Sequence, residues 1–207
     1  MSQIVGIRDV PLILAPLAGV TDYAFRELTR TTVPDCVDGF YTEMVSVKGL
    51  LNKNRGSFRT LPKLGERAVI QLFGADPADF PKAIEIVLAR APNAVGIDIN
   101  AACPVRKVVR NGAGAALAKD LPTLRRILEA AEPPAHAAGR RLTLKIRKGW
   151  EANVNYREVI TMAIGCGVDA VALHGRTVEQ GYSGTADLTV LDEIPQAECS
   201  RVLWSGD

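Results

Sequence analysis

Short apolar runs alternate along this chain with stretches whose apolar residues recur at helical spacing. The runs are LILA at 12–15, FYT at 40–42, AVIQLF at 68–73, AVGIDIN at 94–100, LTLKIR at 142–147, AVALHG at 170–175 and RVLWSGD at 201–207. Between them the pattern predicts a helix opening at Asp22, whose carboxylate can cap the first turn, and a weaker helix over 45–52. The segment DPADFPKAIEIVLAR brings Ile84, Val87 and Leu88 to one face. Further helices are expected over 123–131, after a long loop, and over 155–165, with a short one near Leu188. Apolar runs that alternate with helices imply parallel βαβ units with strands buried on both faces.

Two architectures satisfy that pattern, an open doubly wound sheet and a (β/α)8 barrel. Polar or turn-forming residues close each run, namely Pro16, Glu43, Gln71, Asn100, Lys145, His174 and Asp207. An open sheet gathers its functional groups at one crevice, whereas a barrel draws them from the carboxyl end of every strand. The α/β barrel of the TIM type is therefore the expected fold, as one domain over residues 1–207. Seven strands are counted, and a full barrel takes about 250 residues. The expectation is thus an incomplete barrel that lacks its last βα unit and has two open, aggregation-prone edges.

Composition adds limits. The 207 residues are 47% hydrophobic and 23% charged, which suits a domain with a substantial core. A net charge of +2 does not by itself call for nucleic acid. Cys36, Cys103, Cys166 and Cys199 stand apart without a C-x-x-C pair, so neither a disulfide framework nor a metal site is expected, and a reducing cytosol fits. The segment VPLILAPLAGV at 10–20 is too short to span a bilayer and reads as a buried strand.

The segment IDINAACPVRKVVRNGAGAAL, 97–117, carries the sharpest chemistry. It sets Asn100 at a strand end and Cys103 three residues on, ahead of Pro104, with Arg106, Lys107 and Arg110 following and a glycine-rich turn closing the loop. A thiol is mostly protonated at neutral pH and can donate a proton or act as a nucleophile. An isolated cysteine is more often a small buried apolar residue, but this position beyond a strand end and beside basic residues points to function. Cys36, Cys166 and Cys199 read as structural, and the runs RRLTLKIRK and RKVVR read either as solvated faces or as phosphate contacts at the barrel rim.

Together, APLAGVTDYAFRELTR, QLFG, IDINAACPVRKV, NGAGAAL, LKIRKGW and HGRTVEQGYSG are similar, in order and separation, to the tRNA-dihydrouridine synthases, and most of all to their bacterial branch. The resemblance covers residues ~10 to 207 and implies a (β/α)8 barrel followed by a helical tRNA-binding domain, which is expected to be absent from residues 1–207. It implies FMN, reduced by NADPH, as cofactor, and conversion of uridine in tRNA to 5,6-dihydrouridine. Carried over, Pro16, Leu17 and Ala18 contact the flavin, Gln71 bonds its pyrimidine edge, Lys145 lies near its N1/O2 side and His174 approaches the ribityl phosphate. Ser205, Gly206 and Asp207 correspond to the family's N-G-D. Asn100 holds the uracil and Cys103 protonates C5 after hydride reaches C6, while Arg176 and Tyr182 orient the base or neighbouring RNA. Ala102 departs from the family's glycine, which would stiffen the Cys103 loop if positive φ were required there, and Ser205 departs from its asparagine. The family's Gly-Arg phosphate loop lies beyond Asp207, so the expectation is that residues 1–207 alone make little dihydrouridine. Two other readings stand: an FMN barrel acting on a small molecule, like a dihydroorotate dehydrogenase, and an inactive barrel.

Overall fold

The computed structural model describes residues 11–151 and 153–206. Its strands are β1 (Ile13–Leu14), β2 (Gly39–Phe40), β3 (Val45–Ser46), β4 (Val69–Phe73), β5 (Gly96–Ala101), β6 (Arg141–Arg147), β7 (Ala170–His174) and β8 (Val202–Ser205). The helices are α1 (Tyr23–Thr32), α2 (Val47–Leu51), α3 (Arg55–Arg59), α4 (Phe80–Arg90), α5 (Arg106–Val109), α6 (Leu121–Ala137) and α7 (Tyr156–Gly165). Every strand pairing is parallel, and neighbours follow chain order: β1 with β2, then β3 through β8 in sequence. A doubly wound sheet reverses direction at a switch point, and this one does not. The winding is that of a β/α barrel, and among the described residues β8 pairs with β7 alone.

Seven runs become eight strands because Val45–Ser46, expected to open a helix over 45–52, form a strand against β4, and the helix α2 covers only Val47–Leu51. Residues 39–40 pair with β1, Tyr41 bridges to Val69, and Val45–Ser46 pair with β4. The chain changes partner at Thr42, whose N–H donates to the Val69 carbonyl at 2.9 Å and whose hydroxyl accepts from the Gln71 N–H at 3.2 Å.

The period-2 alternation of a strand sorts side chains to two faces. Ile70, Leu72, Ile97, Ile99, Leu142, Leu144, Ile146, Val171 and Leu173 face outward and join the core with Ile84 and Val87 of α4, Ile127 of α6 and Ile160 of α7. The interposed positions, Gln71, Asp98, Asn100, Thr143, Lys145, Arg147 and His174, are buried as well, on the inner face. Both faces of β4 to β7 are covered, as expected, but the inner one is polar well below the strand ends. By contrast β1, expected as a buried strand, is only two residues long. Leu12, Ile13, Leu17 and Val20 are left exposed, because among the described residues β1 pairs with β2 alone.

Helix boundaries follow the local chemistry. Asp22 caps α1, accepting the Phe25 N–H at 2.9 Å. The α4 helix buries Ile84 and Val87 fully and Leu88 partly, so the expected apolar face is present. The α6 helix starts at Leu121, capped by Asp120, and runs through Pro133 and Pro134 to Ala137, beyond the expected 123–131. Those prolines forgo two main-chain bonds, and burial of Ala131 and Ala135 against the core holds the last turns. The long loop before α6 contains α5 and a 3-10 stretch, Gly114–Lys119. The expected helix near Leu188 is one 3-10 turn, Leu188–Leu191.

Candidate active site at the carboxyl ends of the strands

The carboxyl ends of the strands enclose a cleft of about 550 Å³, within the range of small-molecule sites. Pro16, Leu17 and Ala18 form its wall after β1, in a turn held by Leu17 N–H to Thr21 Oγ1 at 2.9 Å and Gly19 N–H to Glu43 Oε1 at 2.5 Å. Gln71 of β4, Asn100 of β5, Lys145 of β6 and His174 of β7 come from neighbouring strands, with Cys103 in the loop after β5. Arg176, Tyr182, Ser205 and Gly206 complete the lining from the β7 loop and the end of β8. The sequence-named site residues thus meet in one place, and Asp207 lies outside the described residues.

The Cys103 loop is fastened from both sides. Asn100 Oδ1 accepts the N–H groups of Ala102 at 3.1 Å and Cys103 at 2.9 Å, while the Cys103 carbonyl accepts from Ala115 N–H at 3.0 Å. Gly114 is needed for that approach, because its φ is +60° and a Cβ would lie 2.8 Å from the Cys103 carbonyl oxygen. Ala102 does not adopt positive φ, so its departure from the expected glycine does not strain the loop.

Lys145 and Asn100 are direct partners across β5 and β6. The Lys145 ammonium has no hydrogen-bond partner among the described residues. Burial lowers its pKa to about 8, against the opposing pull of the Asp98 carboxylate. Arg147, in the run read as a possible solvated face, is instead buried. It donates to Ala102 O at 3.1 Å and to Thr177 O and Gly181 O at 2.9 Å each, tying the Cys103 loop to the loop after β7. Tyr182 stands exposed at the lip, its ring 5.9 Å from that guanidinium. Arg176 donates to Ser183 O at 3.1 Å and Gly184 O at 2.5 Å, and it approaches His174 Nε2 at 3.4 Å, so that nitrogen is the acceptor.

The sequence reading missed four residues here. Met44 and Arg147 line the cleft, and Asp98 and Thr143 lie beneath it. The available signal for Asp98 was a carboxylate two residues before Asn100 in a strand buried on both faces, which requires a partner set. Lys145, Arg147 and Arg176 all line the cleft, and none of the described lining residues is acidic. Apolar wall, polar floor and concentrated positive charge suit a flat, partly apolar ligand that carries negative charge. Among the described residues, no cluster of His, Cys, Asp and Glu could hold a metal, and no helix is long and apolar enough to cross a membrane.

Fold and site define a β/α-barrel protein whose inner polar groups converge on an anion-accepting cleft. Residues 13–207 match the family Dihydrouridine synthase (Dus), and the chain belongs to that family. It is 33% identical over 204 residues to a probable tRNA-dihydrouridine synthase of Treponema pallidum, covering 93% of this chain and 58% of that protein. It is 37% identical over 199 residues to tRNA-dihydrouridine synthase B of Pseudomonas aeruginosa, covering 95% and 58%. To the protein of the same name in Pseudomonas syringae it is 38% identical over 202 residues, covering 95% and 57%. The chain thus spans somewhat over half the length of these relatives.

Proposed function

We propose that the cleft binds FMN and that the chain is the catalytic barrel of a tRNA-dihydrouridine synthase, converting uridine in tRNA to 5,6-dihydrouridine with NADPH as reductant. The observation that carries this reading is the buried, unpartnered Lys145 ammonium lining a cleft of ligand size beside Gln71, Asn100 and Cys103.

Pro16, Leu17 and Ala18 would pack against the ring system, and Gln71 retains one N–H and one lone pair for its pyrimidine edge. Lys145 would stabilise negative charge on the ring, since a fixed cation in a water-poor site favours the charged form. His174, Arg176, Ser205 and Gly206 would receive the phosphate. When bound, reduced FMN supplies the hydride that reaches C6 of the base. Cys103 then donates its proton to C5, from a loop whose backbone is pinned by Asn100 and Ala115. Asn100, with its oxygen engaged by two backbone N–H groups, would offer to the base the amide hydrogen that otherwise makes only a weak contact with Met44 Sδ at 3.9 Å. Tyr182, exposed at the lip, would meet the neighbouring RNA.

The test is a single-turnover assay with chain, FMN and NADPH in excess over unmodified tRNA, run long enough to register the low rate expected of residues 1–207 and scoring dihydrouridine by nucleoside mass. Cys103→Ala is expected to slow its formation about 10²–10⁴-fold, the usual worth of general acid catalysis, while FMN binding is retained. An alanine variant with the parent rate would overturn the role of Cys103. Reduction of free uridine or another small molecule, but not tRNA, would overturn the substrate.

A further inference from the structure

Asp98 is fully buried beneath the cleft and touches its lining through Gln71, and the hydrogen bonds around it share one direction. Thr143 Oγ1 donates to Asp98 Oδ1 at 2.6 Å and Gln71 Nε2 donates to Asp98 Oδ2 at 2.7 Å. Asn100 Nδ2 donates to Gln71 Oε1 at 2.8 Å, and the backbone N–H groups of Ala102 and Cys103 donate to Asn100 Oδ1. On the other arm, Thr143 has given its only hydrogen to Asp98, so the Tyr41 hydroxyl, 3.4 Å away, is the donor to Thr143. Both arms run toward Asp98, and the longer one begins at the amide of Cys103.

An amide can be turned end for end with little change in shape, so Gln71 has no orientation of its own, whereas Asn100 is held at the far end by two backbone N–H groups. A carboxylate has no such freedom, because ionised it accepts on both oxygens. Burial raises the Asp98 carboxyl to about 6, against the lowering effect of the Thr143 and Gln71 bonds and the Lys145 charge. Each of its oxygens faces a donor, Oδ1 the Thr143 hydroxyl and Oδ2 the Gln71 amide, the arrangement that suits an ionised carboxylate.

We propose that Asp98 is a positioning residue whose acceptor oxygens fix the direction of the Gln71–Asn100 amide chain and, through it, the place of the Cys103 loop. The proposal deepens the FMN–uridine reading, since the same chain leaves Gln71 and Asn100 with defined donors and acceptors toward the cleft. If Gln71 turned, its NH2 would face that of Asn100. Asn100 would have to turn as well, which would leave two backbone N–H groups facing an NH2.

Two substitutions separate acceptor from bulk. Asp98→Ala removes the acceptor. Asp98→Asn keeps an oxygen for Gln71 and turns its NH2 toward Thr143, whose hydroxyl can rotate to accept it. The measurement is hydrogen exchange at the peptide containing Ala102 and Cys103 in the 207-residue chain, without flavin or tRNA. Asp98→Ala should speed exchange there about tenfold, the effect of leaving a buried polar group unpaired, and Asp98→Asn should stay within about twofold. Peptides from α4 and α7 should be unchanged in both. Unchanged exchange in Asp98→Ala, or Asp98→Asn as fast as Asp98→Ala, overturns the proposal. Should Asp98→Ala not fold, Gln71→Leu cuts the same arm one link nearer the loop and is read by the same criterion. FMN binding, measured separately on these variants, reports on the cofactor reading alone.

Discussion

Lys145 shows how one buried charge connects folding to chemistry. Burial lowers its pKa from 10.5 to about 8, with Asp98 raising it, Arg147 lowering it and Cys103 raising it. Between these values the unfolded chain binds more protons than the folded one, so this residue makes stability rise with pH from about 8 to 10.5. Below about 8 both states are protonated and the full cost of burying the ammonium is present. Lys145→Met should therefore be more stable than the parent at pH 7, with the gap closing toward pH 10. Thermal melts at the two pH values check this, and a gap independent of pH would mean that the ammonium is not withdrawn from water. In the proposed function, the negative charge of a bound ligand would offset that cost. The position of Lys145 was legible in the sequence as a polar residue ending an apolar run. Asp98 and Thr143 were not, because one polar residue inside such a run does not disturb the apolar pattern and only pairing across β4, β5 and β6 brings them together.

At the scale of elements, the first βα unit depends on a contact between distant parts of the chain. Arg26 of α1 is buried and donates from Nε to Glu66 Oε1 at 2.7 Å and from Nη2 to Oε2 at 3.0 Å, while Nη1 meets Thr21 O at 2.7 Å. Glu66 in turn receives the Lys63 N–H at 3.0 Å, so the pair fastens α1 to the approach to β4. Removing one partner of such a pair leaves an uncompensated buried charge. Arg26→Ala should cost about 3–5 kcal/mol in denaturant unfolding, and Arg26→Met with Glu66→Leu should recover most of it. If the double variant is no better than the single, the ion pair itself stabilises the fold. Nothing in the sequence joined Arg26 to Glu66, forty residues apart, for they meet only where the folded chain brings α1 to the loop that leads into β4. The α3 helix was equally hidden, since RGSFR has no apolar period and is a short turn started by Asn54, which accepts the Gly56 N–H. The strand runs from β4 to β8 were legible because their outward faces are apolar throughout, Ile, Leu, Val and Ala with Trp204 on β8. The break between β2 and β3 was not, because it comes from a change of hydrogen-bonding partner at Thr42 rather than from a change in hydropathy.

Across the whole molecule, sequential parallel winding carries side chains far apart in the chain, from Pro16 to Gly206, to one end of the strands. The result is a cleft with an apolar wall, a cationic rim and an oriented amide floor. The central claim is that this cleft is an FMN site with Lys145 beside the ring. Titrating FMN with the chain and following flavin fluorescence tests it most directly. The account predicts saturation at one FMN per chain. It also predicts that Lys145→Met weakens binding about tenfold or more, the loss of a charge-assisted contact in a water-poor site. Fluorescence that does not respond to the chain, or parent and Lys145→Met curves that coincide, would contradict it.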